Sequence, residues 1–230
     1  MLIPIRDDNP TRRLPFVTVS ILVLNVIAFL YAKLLGPTGF DVFTASWGAI
    51  PFEVTHGVDA ISPTPFPVYS TLVTSLFMHG GWLHIAGNML YLWVFGNNVE
   101  DVLGRGHFLV FYLLCGVVAT LGHVATAPGS IVPLVGASGA IAGVLGAYLA
   151  AFPSVRVHVL VPIFFFIQII RVPAVLVVGM WFMIQILYAW MDQGGVGGGV
   201  AWFAHIGGFV FGFLLMKRRV RRFRRVEASL

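Results

Sequence analysis

The chain has 230 residues, of which 58% are apolar, 14% aromatic and only 10% charged, and its mean hydropathy is +0.92. Soluble domains carry about 25% charged residues, so a water-soluble enzyme, a disordered chain and a collagen-like fibre are excluded, and a polytopic helical membrane protein remains. The net charge of +5 is local: seven cations (Lys217, Arg218, Arg219, Arg221, Arg222, Arg224 and Arg225) fall within nine residues, while the other seven face nine carboxylates. Such a cluster reads as an anchor facing anionic lipid, and nucleic-acid binding is a poor reading of it.

A helix needs about 20 residues to cross ~30 Å of hydrocarbon. The first candidate, 16–35, follows Arg6, Arg12 and Arg13; no small-x-small cleavage pattern comes after it, so it reads as a retained span. Residues 36–81 then form a long outer segment rich in Pro and aromatics, including Trp47, Pro51, Phe52, Pro63, Pro65 and Pro67. It is either a plain structural loop or lies partly in the membrane interface. Further spans are expected at 82–99, 107–127 and 135–152. The fourteen residues 157–170 are too few for a span and read as interfacial or partly buried. The last two spans are 174–191 and 200–216, separated by a mobile glycine-rich turn at 194–199.

Charge parity favours this count. With six spans and the N-terminus inside, thirteen cations are cytoplasmic and only Lys33 is outside, whereas a seventh span would export the basic tail. The expected fold is therefore all-α: a cytoplasmic segment 1–15, a six-transmembrane-helix domain 16–216 and a basic cytoplasmic tail 217–230. Cys115 is alone, so no internal disulfide is possible, and it reads as core packing because no base flanks it.

Polar side chains inside a membrane are costly and point to function. Ser138 lies at the outer start of the fourth span, and His205 lies five residues into the sixth, roughly 7–8 Å below its outer edge. Both spans run from outside to inside, so the two residues share a depth. Ser138, Ala142 and Gly146 recur at i, i+4, i+8 beside Gly139 and Gly143; His205, Gly208 and Gly212 share a face of the sixth span. Such stripes let helix backbones approach closely. They either pack helices and nothing more, or bring the hydroxyl to the imidazole, where His205 would act as general base toward Ser138 in attack on a carbonyl.

No Asp or Glu lies between Val102 and Ala151 or between Gln193 and Val226, so the site reads as a dyad, with Asp192 a weak third member. Oxyanion donors are available from the free N–H groups starting the fourth helix and from His84 and Asn88, spaced i, i+4 on the second span. The bland alternative for that pair is a satisfied polar contact between helices. His79 is off their face, in a supporting position. Zinc held by His79, His84 and His205 is a weaker reading, without the His-Glu-x-x-His pattern. Asn25 and Gln185 are candidates for hydrogen bonds between helices. His123 and His158 read as interfacial or bonded polar residues, and Trp181, Phe182, Tyr188 and Trp190 as core and interface belt.

In its motifs the chain resembles the rhomboid intramembrane serine proteases. The match rests on His79-Gly-Gly-Trp-Leu-His84-Ile-Ala-Gly-Asn88, on Gly136-Ala137-Ser138-Gly139, and on Ala204-His205-Ile-Gly-Gly208-Phe-Val-Phe-Gly212, with Glu100 looking like the acidic residue that ends the second span. The resemblance runs from roughly residue 68 to 216. It implies a rhomboid-like bundle that hydrolyses a peptide bond in or beside a transmembrane helix of membrane-protein substrates. Ser138 would be the nucleophile and His205 the base. His84, Asn88 and the backbone N–H groups of Ala137 and Ser138 would hold the oxyanion, and Gly136, Gly139, Gly208 and Gly212 would support the site. It implies no cofactor, no metal and no nucleic acid, and lipid as the surroundings. A multi-pass location in a cell membrane is expected, with both termini cytoplasmic and the site opening to the outer side.

Two departures stand out. Ala142 occupies the place where many members carry a Tyr packed on the histidine, so Trp202 or Phe203 would have to position His205; and no Arg occurs between Lys33 and Arg105, so the family's Trp-Arg pair in the long loop is missing. Two rival functions share parts of the pattern. A non-catalytic rhomboid-like binder of transmembrane helices would typically lose the Ser or the His. A transporter or channel would need intramembrane charge pairs or sequence repeats, and the chain has no visible repeat.

Overall fold

A strand, β1 (Ile3–Asp7), opens the chain and leads through Pro15 into α1 (Phe16–Leu34) in the computed structural model, which describes residues 3–163, 166–191 and 201–227. Pro15 offers no side-chain cap to α1. The orphan N–H groups of its first turn are met from elsewhere: Glu100 Oε1 accepts from Val17 N at 3.0 Å, and Oε2 accepts from Thr18 N and Thr18 Oγ1 at 2.7 Å each. The buried face of α1 is Thr18, Ile21, Asn25, Phe29 and Ala32, while Val19, Val23, Leu24, Ile27 and Leu30 face outward. Branched aliphatics outside and polar atoms inside invert the pattern of a helix in water, as a lipid surrounding requires.

The long segment after α1 is helical in pieces: α2 (Gly36–Trp47), α3 (Pro51–His56), and α4 (Thr71–Thr74) between two 3-10 turns. It is fastened to the stretch before Ser138. Ala49 and Leu134 exchange both backbone hydrogen bonds, Phe52 N donates to Ser130 O, and Gly136 N donates to Ser75 O at 2.9 Å. Buried Glu53 secures the following turn, its Oε1 accepting from Ala60 N, Ile61 N and Ser62 N. These backbone contacts seat the segment without a Trp-Arg pair.

Five further helices complete the bundle: α5 (Trp82–Leu103), α6 (Arg105–Thr126), α7 (Ser138–Ala151), α8 (Ala174–Met191) and α9 (Trp202–Glu227). Gly104, at φ +78°, is the whole connection between α5 and α6, a left-handed turn that a side chain would strain. Every residue of α7 from Gly139 to Tyr148 is buried, so α7 is the core and the other helices surround it. By residue range, each of these helices and α1 overlaps one stretch expected to span. Among the described residues, α1, α6 and α8 are long and apolar enough to cross a membrane. At 14 residues α7 is only ~21 Å long. Helix α9 continues through the basic run to Glu227.

The all-α expectation needs correction. Residues 157–163 and 166–170 fall within strands β2 (Arg156–Ile163) and β3 (Phe166–Pro173), which pair antiparallel and, with β1, form a three-stranded sheet in the order β1-β2-β3. The reason is alternation. β-branched residues recur at alternate positions, Val157, Val159 and Val161, the first two fully buried, a sequence period of two that suits a strand. In the N-terminal segment, Ile3 to Asp7 pair with Leu160 to Val157. The sheet is tied to the helices by polar contacts: Asp7 Oδ2 accepts from Tyr148 Oη at 2.5 Å and from Asn98 Nδ2 at 2.9 Å, and His158 Nε2 meets Asp8 Oδ1 at 2.6 Å. Asn25 is a second correction. Its amide donates to Ile21 O within its own helix, not to a neighbouring one.

Candidate functional site

Ser138 is the first residue of α7 and follows Ala137, whose carbonyl accepts the first ladder bond, from Ile141 N. The N–H groups of Ser138, Gly139 and Ala140 therefore precede that bond, and the positive end of the helix dipole lies at the serine. His205 is in the first turns of α9. The two helices lie in backbone contact: a Cβ on Gly208 would collide with Gly139 O, one on Gly212 with Gly143 O, and one on Gly146 with Phe209 O. Glycine at these positions is what allows the approach. Its result is a hydrogen bond of 2.8 Å between Ser138 Oγ and His205 Nε2.

The other nitrogen of the imidazole is also engaged. His205 Nδ1 lies 2.8 Å from Gln185 Oε1, and Gln185 Nε2 donates to Trp181 O at 3.0 Å. The rings of Trp181 and Trp202 flank His205 at 5.8 and 6.2 Å. Of the two side chains expected to stand in for the missing Tyr, Trp202 touches the histidine, whereas Phe203 is largely exposed. Gln185, expected to bond between helices, does so from α8 to α9. Its one-to-one pairing with His205 was not legible, because it depends on how α8 is rotated. Asp192 and the glycine run 194–199 lie outside the described residues.

A cavity of about 670 Å³ opens over this pair, and Ser138, His205, Gln185, His84 and Asn88 all line it. His84 and Asn88 reach it from one face of α5. Gly136, at φ +122°, passes directly beneath them: a Cβ there would lie 2.7 Å from His84 Nε2 and 3.6 Å from Asn88 Nδ2. Only glycine fits, by backbone conformation and by space. Asn88 Nδ2 is buried and has no hydrogen-bond partner, so a donor faces the cavity unused. Leaving a buried donor unmet costs about 1–3 kcal/mol, so this amide is available to an acceptor in the cavity.

His79 is buried behind this face, its ring edge-on to His84 at 5.1 Å. Burial, reinforced by the nearby His84, lowers the His79 imidazole to about 3, so it is neutral at ordinary pH. Among the described residues no three His, Cys, Asp or Glu side chains converge as metal ligands. Cys115 is fully buried against Gly143, within the core. The arrangement pairs a hydroxyl with a base, beside one unpartnered amide donor and a helix N-terminus, in an apolar enclosure; chemically it suits attack on a carbonyl and stabilisation of the resulting oxyanion.

Residues 67–222 match the Rhomboid domain family. The chain is 32% identical over 159 residues to the human "Presenilin-associated rhomboid-like protein, mitochondrial", covering 66% of this chain and 38% of that protein. Over 78 residues, 34% of this chain, it is 42% identical to "Rhomboid protease GluP" of Bacillus subtilis (strain 168), covering 15% of it, and 37% identical to "Putative rhomboid protease YdcA" of the same organism, covering 39%. The chain thus spans well under half the length of these relatives.

Proposed function

Because this chain belongs to the rhomboid family, we propose that it is an intramembrane serine endopeptidase, cutting a peptide bond in or beside a transmembrane helix of a membrane-protein substrate. The observation that carries the reading is the 2.8 Å bond between Ser138 Oγ and His205 Nε2 at the wall of a cavity enclosed by apolar helices. Matched relatives named as a protease and a putative protease support it. All six long helices cross the bilayer in this reading, with both termini cytoplasmic and the cavity toward the outer side, consistent with thirteen of fourteen cations lying on the cytoplasmic side.

The steps follow from the geometry. Ser138 Oγ attacks the scissile carbonyl while His205 Nε2 takes its proton. The oxyanion is held by Asn88 Nδ2, by His84 and by backbone N–H groups of Ala137 and Ser138, in a site of low dielectric where such donors act strongly. Collapse breaks the C–N bond, and His205 returns the proton to the leaving amine. Water, deprotonated by the same imidazole, then attacks the acyl-enzyme and releases the second product with Ser138 restored.

The test is co-reconstitution in liposomes with single-span reporter helices carrying Ala or Gly before the scissile bond. Wild type is expected to cut at least one reporter, and Ser138→Ala to cut none. Stable capture of reporters by both forms, without cleavage by either, would replace this reading with a non-catalytic helix binder.

A further inference from the structure

We infer that Gln185 is the positioning residue of His205, a neutral third member that fixes the histidine tautomer; this rests on the proposed Ser138–His205 chemistry. The proton bookkeeping follows from the amide. Gln185 Nε2 donates to Trp181 O one helical turn earlier, which turns Oε1 toward His205. An amide oxygen only accepts, so the proton shared over the 2.8 Å contact belongs to His205 Nδ1. The opposite nitrogen, Nε2, is then bare and accepts from Ser138 Oγ–H. That is the one tautomer in which the imidazole works as a base toward the serine.

Nothing else among the described residues does this job. Neither α7 nor the described part of α9 up to Arg225 contains a carboxylate, and Ala142, one turn after Ser138, has no side chain to reach the ring. Trp181 and Trp202 limit the ring's tilt but offer Nδ1 no acceptor, since an indole only donates. Gln185 is 5% exposed and its carbonyl oxygen faces the cavity wall where the imidazole stands. A neutral acceptor also suits this apolar place, because it orients the ring without the desolvation cost of a carboxylate. An amide in this role has precedent in the Cys-His-Asn arrangement of papain-like proteases.

Gln185→Met keeps length and volume but removes the acceptor, and Gln185→Glu keeps an accepting oxygen. Each is compared with wild type for the rate of labelling by a fluorophosphonate probe in detergent, for thermal unfolding, and for the 15N chemical shifts of His205, which report which ring nitrogen holds the proton. Gln185→Met is expected to label ~10- to 10²-fold more slowly, below the ~10⁴ lost where an amide replaces a buried carboxylate partner and donates to the ring, enforcing the wrong tautomer. It should unfold near the wild-type temperature and lose the Nδ1–H signature, and Gln185→Glu should label close to wild type. Labelling of Gln185→Met at the wild-type rate with unchanged histidine shifts would overturn the assignment. If wild type does not label, yet its Nδ1–H signature is present and vanishes in Gln185→Met, the positioning role stands and the proposed protease reading falls.

Discussion

Gly208→Ala places the smallest possible wedge between the two helices that bring Ser138 and His205 together. The added Cβ would lie 3.1 Å from Gly139 C and 3.3 Å from Ala119 Cβ, and would overlap Gly139 O. A close C···O contact is about 3.3 Å, so the helices must part by roughly 1 Å. Gly139 is the neighbour of Ser138, and Gly208 is only ~4.5 Å along α9 from His205, so the movement reaches the pair almost undiminished. The 2.8 Å bond would stretch to about 3.8 Å, past the ~3.2 Å limit of a useful hydrogen bond. Misplacement by ~1 Å costs on the order of 10² in rate. Stability should fall less, because overpacking costs about 1–3 kcal/mol and alanine returns about 1 kcal/mol of helix propensity over glycine. Fluorophosphonate labelling rates and thermal unfolding in the same detergent separate the two effects. Gly179→Ala on α8, where a Cβ meets nothing within 4 Å, is the control. A Gly208→Ala protein that labels like this control would refute the close-approach argument.

Three other outcomes are expected. Asn88→Ala should slow reporter cleavage by ~10²–10³ without loss of fold, the cost of one oxyanion donor; an unchanged turnover would assign Asn88 a purely structural part. His79 has a folded value of about 3 against an ordinary 6.5, so between those limits the unfolded chain binds the proton and the folded chain does not. Stability should therefore fall as pH drops from ~6.5, by ~2 kcal/mol near pH 5, and His79→Asn should flatten that slope in thermal melts, an identical slope counting against it. Glu100→Ala, which strips the first turn of α1 of its acceptors, should destabilise by about 2–4 kcal/mol, and an unaltered melting temperature would contradict the capping role.

The meeting of Ser138 and His205 was legible because a hydroxyl and an imidazole at equal depth in apolar spans have few neutral explanations, and the glycine stripes beside them told which faces could touch. His84 and Asn88 stood out as a polar pair spaced i, i+4 in an apolar span, whereas Gly136 came only with the motif resemblance, and its passage under the His84 ring is a matter of backbone conformation that motif spacing does not reveal. Gln185 was visible only as a polar residue in a span. Its pairing depends on the rotation of α8, a helix apolar on all sides whose sequence carries no marked face. The sheet was missed because 157–170 was weighed by length against a membrane span, while its alternation, with Val157 and Val159 buried together, was the informative period. Strand β1 is too short to announce itself and exists through its pairing with β2.

The most direct test of the central claim is mass spectrometry of the folded protein after fluorophosphonate treatment, on wild type, Ser138→Ala and His205→Ala. The account predicts one adduct on wild type, mapped to Ser138, and none on either variant at the same exposure. An adduct on His205→Ala at the wild-type rate, or folded wild type that stays unmodified with its cavity open to the probe, would contradict an activated serine served by His205.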